Sequence, residues 1–153
     1  MIKIKALRNF EFHGVVFNGS TGGQAYGDCP FSGCPGKFYV SIEKQLWDCK
    51  KENFSGNVYQ FYERIAELNA TNTPLSRLKK LADQRKMPVA ALKAWHVGWD
   101  GTRYTLPVRD IQGRVVDIRY YRLRSRLMST PGAATGLIGS HVIKERPQDP
   151  IYL

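Results

Sequence analysis

The sequence predicts an α+β chain, in which a small β module with a packed helix is followed by helices and a mixed β segment. Three observations predict it. The run KFYVSI from Lys37, a charged turn at Glu43 and Lys44, and QLWDC alternate as a β-hairpin does, with cysteine-bearing turns at either end. After Ser55-Gly56-Asn57 the apolar period becomes helical, and beyond Val97 a strand-like alternation returns. With 153 residues, 42% of them hydrophobic, the chain can bury a core as one domain or as a small module joined to a larger one.

Residues 1 to 28 mix FHGVVF with NGSTGGQAYGD, which predicts one or two strands joined by a flexible loop. The hairpin from Lys37 comes next. Val58, Phe61, Tyr62, Ile65 and Leu68 then fall on one face of a helix capped by Asn57, which should pack on the hairpin. Thr73 followed by Pro74 is a cap-and-first-turn signal for a second helix, with Leu75, Leu78 and Leu81 inward and Arg77, Lys79 and Lys80 outward. Pro88 opens a short helix, VAALKAW. The polar ATNT stretch at residues 70–73 marks a boundary, so that 1–70 form one module and 71–153 a second. In the second, TRYTLPVRD, a turn at Ile111, Gln112 and Gly113, and RVVDIRYYRL form another hairpin. STPGAATGLIGS is expected to be a glycine-rich loop and DPIYL the opening of a buried strand.

Three cysteines cannot complete a disulfide framework, MIKIKALRNF is not a signal peptide, and no apolar stretch is long enough for a bilayer. A reducing cytoplasm is the expected compartment, where clustered cysteines more often mean metal. Two ligand turns at the ends of a hairpin are the layout of a zinc ribbon. The first turn offers Cys29 and Cys34; the second offers Cys49, with Glu52 where a fourth cysteine would be expected. The fourth donor is then Glu52, held three residues after Cys49, or His13, if the N-terminal segment folds over. The opposing reading makes the three cysteines small core residues of a degenerate ribbon that has lost zinc.

A formal net charge of +10 and a pI near 9.7 suit a polyanionic partner, most commonly nucleic acid. Between Thr102 and Arg126 stand seven arginines, Arg103, Arg109, Arg114, Arg119, Arg122, Arg124 and Arg126, against two aspartates. If the second hairpin's strand continues, Arg122, Arg124 and Arg126 project from one face and can track a phosphate backbone. The opposing reading is a solvated face with local Arg–Asp pairs. Tyr39 and Trp47 are candidates for stacking on bases, against a plain core role. His96 and His141 have no partner at ligand spacing, and the GSTGG and PGAATG stretches lack a P-loop ending and are expected to be flexible connectors. No paired carboxylates or nucleophile constellation support an enzyme with its own site.

Cys29-Pro30-Phe31, Phe38-Tyr39-Val40, Trp47-Asp48-Cys49, Ser55-Gly56-Asn57 and Phe61, in that order, resemble the zinc ribbon of bacterial-type DNA primases, particularly their phage and mobile-element relatives. Pro107, Arg109, Asp110 and Gly113 to Val116 resemble the start of that family's RNA-polymerase domain, and DPIYL its first Toprim strand. Ser32 stands where the family has its second ligand and Glu52 where it has its fourth. The resemblance implies a zinc ribbon (residues 1–70) and the leading part of a polymerase domain (71–153) cut before Toprim. It implies a region that binds single-stranded DNA template for RNA primer synthesis at a separate Toprim centre. Its partners would be the template and a replicative helicase or Toprim catalytic domain, in a bacterial or phage-infected cell. The Mg²⁺-binding carboxylates of Toprim are missing here, so magnesium belongs to that absent part and the chain would be inactive alone. The competing class is a non-catalytic nucleic-acid-binding or adaptor protein with a degenerate ribbon.

Overall fold

Asn57 starts the helix on which both halves of the protein are built. Its side-chain oxygen accepts the N–H groups of Tyr59 and Gln60 at 3.0 and 3.1 Å, and Gln60 Oε1 accepts the Asn57 N–H at 2.9 Å. This reciprocal cap satisfies three of the four free N–H groups at the helix start and fixes where α2 (Val58–Thr71) begins. The computed structural model describes residues 4–133 and 136–148. Its class is α+β, with two antiparallel sheets and short helices around α2.

The first sheet is a five-stranded meander of β1 (Phe17–Thr21), β2 (Gln24–Gly27), β3 (Phe38–Ser41), β4 (Trp47–Cys49) and β5 (Phe54–Gly56). Phe38 pairs with Cys49 and Val40 with Trp47, so one pleated face carries all four inward. Trp47 stacks on Phe38 at 5.8 Å, and both rings meet Phe61 of α2. The GSTGG stretch is not a flexible connector. Gly22 and Gly23 alone join Thr21 to its partner Gln24, and their φ values of 55° and 78° are those of a type I′ turn.

Ahead of this sheet lie a 3₁₀ turn (Lys5–Leu7) and α1 (Arg8–Phe12), where only strands and a loop were expected. Five helical residues carry too little periodicity to be seen in the sequence. The segment is held by Leu7 and by Phe10, whose fully buried ring sits 4.7 Å from Phe61.

Helices α3 (Leu75–Arg85) and α4 (Val89–Ala94) follow Pro74 and Pro88, each extended at the N-cap. Thr73 does not cap α3. Its hydroxyl donates to the Asn69 carbonyl and closes the end of α2. The second sheet is β6 (Gly98–Trp99), β7 (Tyr104–Arg109) and β8 (Val115–Tyr121). Val115, Ile118 and Tyr120 of β8 share one core with Phe38, Trp47 and Phe61, so apolar packing runs through α2 from one sheet to the other. A second core joins Leu78, Leu81 and Leu92 to Tyr104 and Tyr121.

β8 stops at Tyr121 rather than continuing through Arg126. The chain turns at Arg122–Ser125, with Arg124 at φ 66°, and Met128 returns to exchange both backbone hydrogen bonds with Tyr120. Beyond the glycine-rich segment a short α5 (Ser140–Glu145) follows, and the DPIYL strand expected at residues 149–153 lies outside the described residues. Among the described residues no helix is long and apolar enough to cross a membrane.

Gly98 lets β6 lie against α2. A Cβ there would stand 2.7 Å from the Asn69 carbonyl carbon and 2.6 Å from Thr105 Oγ1, and the helix backbone cannot yield cheaply. Gly98→Ala should therefore lower stability by about 1–3 kcal/mol, read as a fall in the urea midpoint with unchanged slope.

Candidate metal centre and nucleic-acid interface

Cys29 and Cys34 close a tight loop in which the Cys29 N–H donates to the Cys34 carbonyl at 3.0 Å and the Gly33 N–H to the Cys29 carbonyl at 2.8 Å. Cys49 ends β4, in register opposite Phe38, and so faces that loop. The three sulfurs form one buried group, with Cys49 Sγ 3.4 Å from Cys29 Sγ and 3.7 Å from Cys34 Sγ, and no disulfide. Thiolates bound to one tetrahedral Zn²⁺ at about 2.3 Å stand about 3.8 Å apart. The spacing fits. Both turns also aim backbone N–H groups at sulfur: Phe31 and Ser32 toward Cys29, Lys51 and Glu52 toward Cys49. Such donors stabilise thiolate, the form that binds metal.

The thiols differ in acidity. Burial pushes Cys29 up, but hydrogen bonds from the Ser32 hydroxyl and N–H, the Phe31 N–H and Cys49 outweigh it, and its pKa falls below the ordinary value. Burial takes Cys49 up to about 11 despite the Glu52 and Lys51 N–H groups. A shared cation removes this opposition, since it lets all three be thiolates at once.

Neither expected fourth donor joins the sulfurs. Glu52 supplies its N–H to Cys49, while its carboxylate lies outside the group that, among the described residues, contains the three cysteines alone. His13 points to the other side of the core. Its Nδ1 lies 2.5 Å from the Tyr120 hydroxyl and its Nε2 2.9 Å from Thr130 Oγ1, while the Thr130 N–H donates to Asp117 at 2.9 Å. Both ring nitrogens are committed to this buried chain, which ties α1 to β8. Sequence alone could not show it, because the partners are 107 and 117 residues away.

The seven arginines divide in two. Arg103 bonds Asp100 through Nε at 2.8 Å and lies over the Tyr120 ring at 3.9 Å. Arg109 grips Glu63 of α2 with two bonds of 3.0 and 2.8 Å, Arg114 bonds Asp110, and Arg119 bonds the Gly136 carbonyl beside Asp117. Arg122, Arg124 and Arg126 are exposed on the turn after β8 and make no ion pair among the described residues. They do not lie along a strand face as expected; the tight turn gathers them at one tip instead. Trp47 is 2% exposed and its indole N–H donates to the Asn57 carbonyl at 2.8 Å, so it is a core residue that cannot stack on a base. Tyr39 is half-buried on the outer face of β3, beside Tyr26 at 6.5 Å. His96 and His141 flank a small pocket with Trp95 and Arg109, away from the cysteines.

No family model matches the chain, and no curated protein matches it. A solved structure that does is the crystal structure of the Aquifex aeolicus primase (zinc binding and RNA polymerase domains). It is 15% identical, with a TM-score of 0.34 over 92% of this chain and 57% of that one. The chain thus spans little more than half the length of that structure.

Two predictions follow from this geometry. The purified protein should carry one zinc per chain by elemental analysis, and Cys49→Ser should abolish it and lower Tm by on the order of 10 °C; a folded protein free of stoichiometric metal would sink the site. Burial, then the Arg103 charge, lowers the His13 pKa to about 3 from 6.5. Its folded pKa is depressed, so the unfolded chain takes the proton first, and stability is full above pH 6.5 and falls below it. Between about pH 7 and about pH 4 the native protein should lose about 3 kcal/mol more than His13→Gln does, a difference in which loss of metal cancels.

Proposed function

We propose that the chain is the template-binding front region of a primase, a zinc ribbon leading into the start of a polymerase domain. It would hold single-stranded DNA for primer synthesis at a separate Toprim centre. Nucleic-acid binding is carried by the division of the arginines. Four are paired with carboxylates of the fold, and three, Arg122, Arg124 and Arg126, stand exposed together on one turn with no ion pair among the described residues. The guanidinium fork suits a phosphodiester because it offers two parallel hydrogen bonds to one phosphate. A tip rather than a strand face can follow a flexible single strand without requiring the pitch of a duplex.

The primase assignment is supported by the ordered motifs from Cys29 to Phe61, which run from the first cysteine loop through β3, β4 and β5 into α2, and from Pro107 to Val116, which span the turn from β7 to β8. Zinc, when bound, would cross-link the two turns of the ribbon and leave chemistry to the separate centre. The ribbon then serves as a rigid support for β2 and β3, whose outer face carries Tyr26 and Tyr39. The division into residues 1–70 and 71–153 belongs to the same proposal, with α2, the last element of the first part, packed against β8 of the second.

Replacing Arg122 and Arg124 by Ala should weaken single-stranded DNA binding and reduce the slope of log affinity against log salt by about 1.4. Arg114→Ala, which removes an arginine already paired with Asp110, should leave the slope unchanged. A fall of about 0.7 in slope from Arg114→Ala, half that of the double variant, would show that net charge, not the tip, governs binding.

A further inference from the structure

We infer that Ser32 supplies the fourth corner of the ribbon's metal site through its hydroxyl oxygen, making the donor set three thiolates and one serine oxygen. The inference rests on the zinc reading above. Ser32 Oγ lies 3.3 Å from Cys34 Sγ, and its hydroxyl also favours the thiolate of Cys29. A hydroxyl has one proton and cannot donate fully to two sulfurs. An oxygen and a sulfur that share a tetrahedral Zn²⁺ stand about 3.6 Å apart, given bond lengths of about 2.1 and 2.3 Å. Its place at the edge of the sulfur group, 3.3 Å from Cys34 Sγ, is close to the one a fourth donor around a common cation would hold.

The loop geometry explains how one turn offers three donors. Cys34 follows Ser32 by two residues, and Gly33 between them, at φ 66°, reverses the chain so that the Ser32 hydroxyl is brought to the Cys34 sulfur. Competing donors are occupied elsewhere. Asp28 accepts from the Gly36 N–H at 2.9 Å and from Asn18 at 3.1 Å, and Asp48 pairs with Lys50. Glu52 stands outside the sulfur group, and His13 is bound in the core. Ser32 is exposed whereas the three cysteines are buried, so the oxygen corner is the one that meets solvent. A neutral hydroxyl leaves a net charge of −1 on the loaded site, against −2 for four thiolates.

Cobalt(II) titration of the full chain, followed through its d–d and thiolate charge-transfer bands, tests this. Ser32→Cys should keep a tetrahedral spectrum, raise the charge-transfer intensity by about a third as three thiolates become four, and bind cobalt about tenfold more tightly. Ser32→Ala should bind about tenfold more weakly, and Glu52→Gln should match the native protein. A Ser32→Cys variant with the native spectrum and affinity, or a Glu52→Gln variant with an altered spectrum, would overturn the assignment while leaving the metal site standing. A native chain that takes up neither cobalt nor zinc would remove the metal site itself.

Discussion

The structure depends on one helix buried from both sides. Phe61 and Tyr62 are fully covered, Phe61 by Phe10, Phe38 and Trp47 from the first sheet's side, and the same core continues to Val115, Ile118 and Tyr120 of the second. Each sheet is too small to bury its own apolar face, since five short strands or three cannot close a core without a cover. α2 is that cover for both. The Arg109–Glu63 fork then locks the second sheet's turn onto the helix at a half-buried position, where two charge-assisted bonds are worth more than an exposed pair.

The two ways of holding the N-terminal half differ in kind. Around Trp47 and Phe61 the sheet is stapled by aromatic packing, whereas at its edge three sulfurs are drawn together by short turns and backbone N–H donors. Aromatic packing needs no metal, so this part of the sheet stands on its own core. Three buried sulfurs in contact, on the other hand, would gain from a cation that lets all of them be thiolates at once. The buried chain of Asp117, Thr130, His13 and Tyr120 performs a third task. It is satisfied at each link, so it fixes the register of α1 on β8 where apolar contact alone would permit sliding.

Much of this was legible in the sequence, for local reasons. The hairpin of β3 and β4 showed through alternation, α2 through its helical stripe and the Asn57 cap, and α4 through Pro88. The short α1 was hidden because its helicity comes from burying Leu7 and Phe10, not from its own pattern. The arginines show the same limit. Spacing by two suggested a strand face at Arg122, Arg124 and Arg126, but a left-handed residue at Arg124 ends the strand and forms a tip. Trp47 could be read from the sequence as a base-stacking candidate or as a plain core residue; its neighbours in space bury it.

By itself the sequence determined the order of elements, the α+β class, the excess of positive charge and the three cysteines at the hairpin's ends, because each is written in residues close together along the chain. Only the tertiary structure decided which arginines remain free, which way Glu52 and His13 turn, and that Ser32 rather than either of them stands beside the sulfurs. Those outcomes depend on groups up to 117 residues apart meeting across one buried helix, and no local pattern encodes such a meeting.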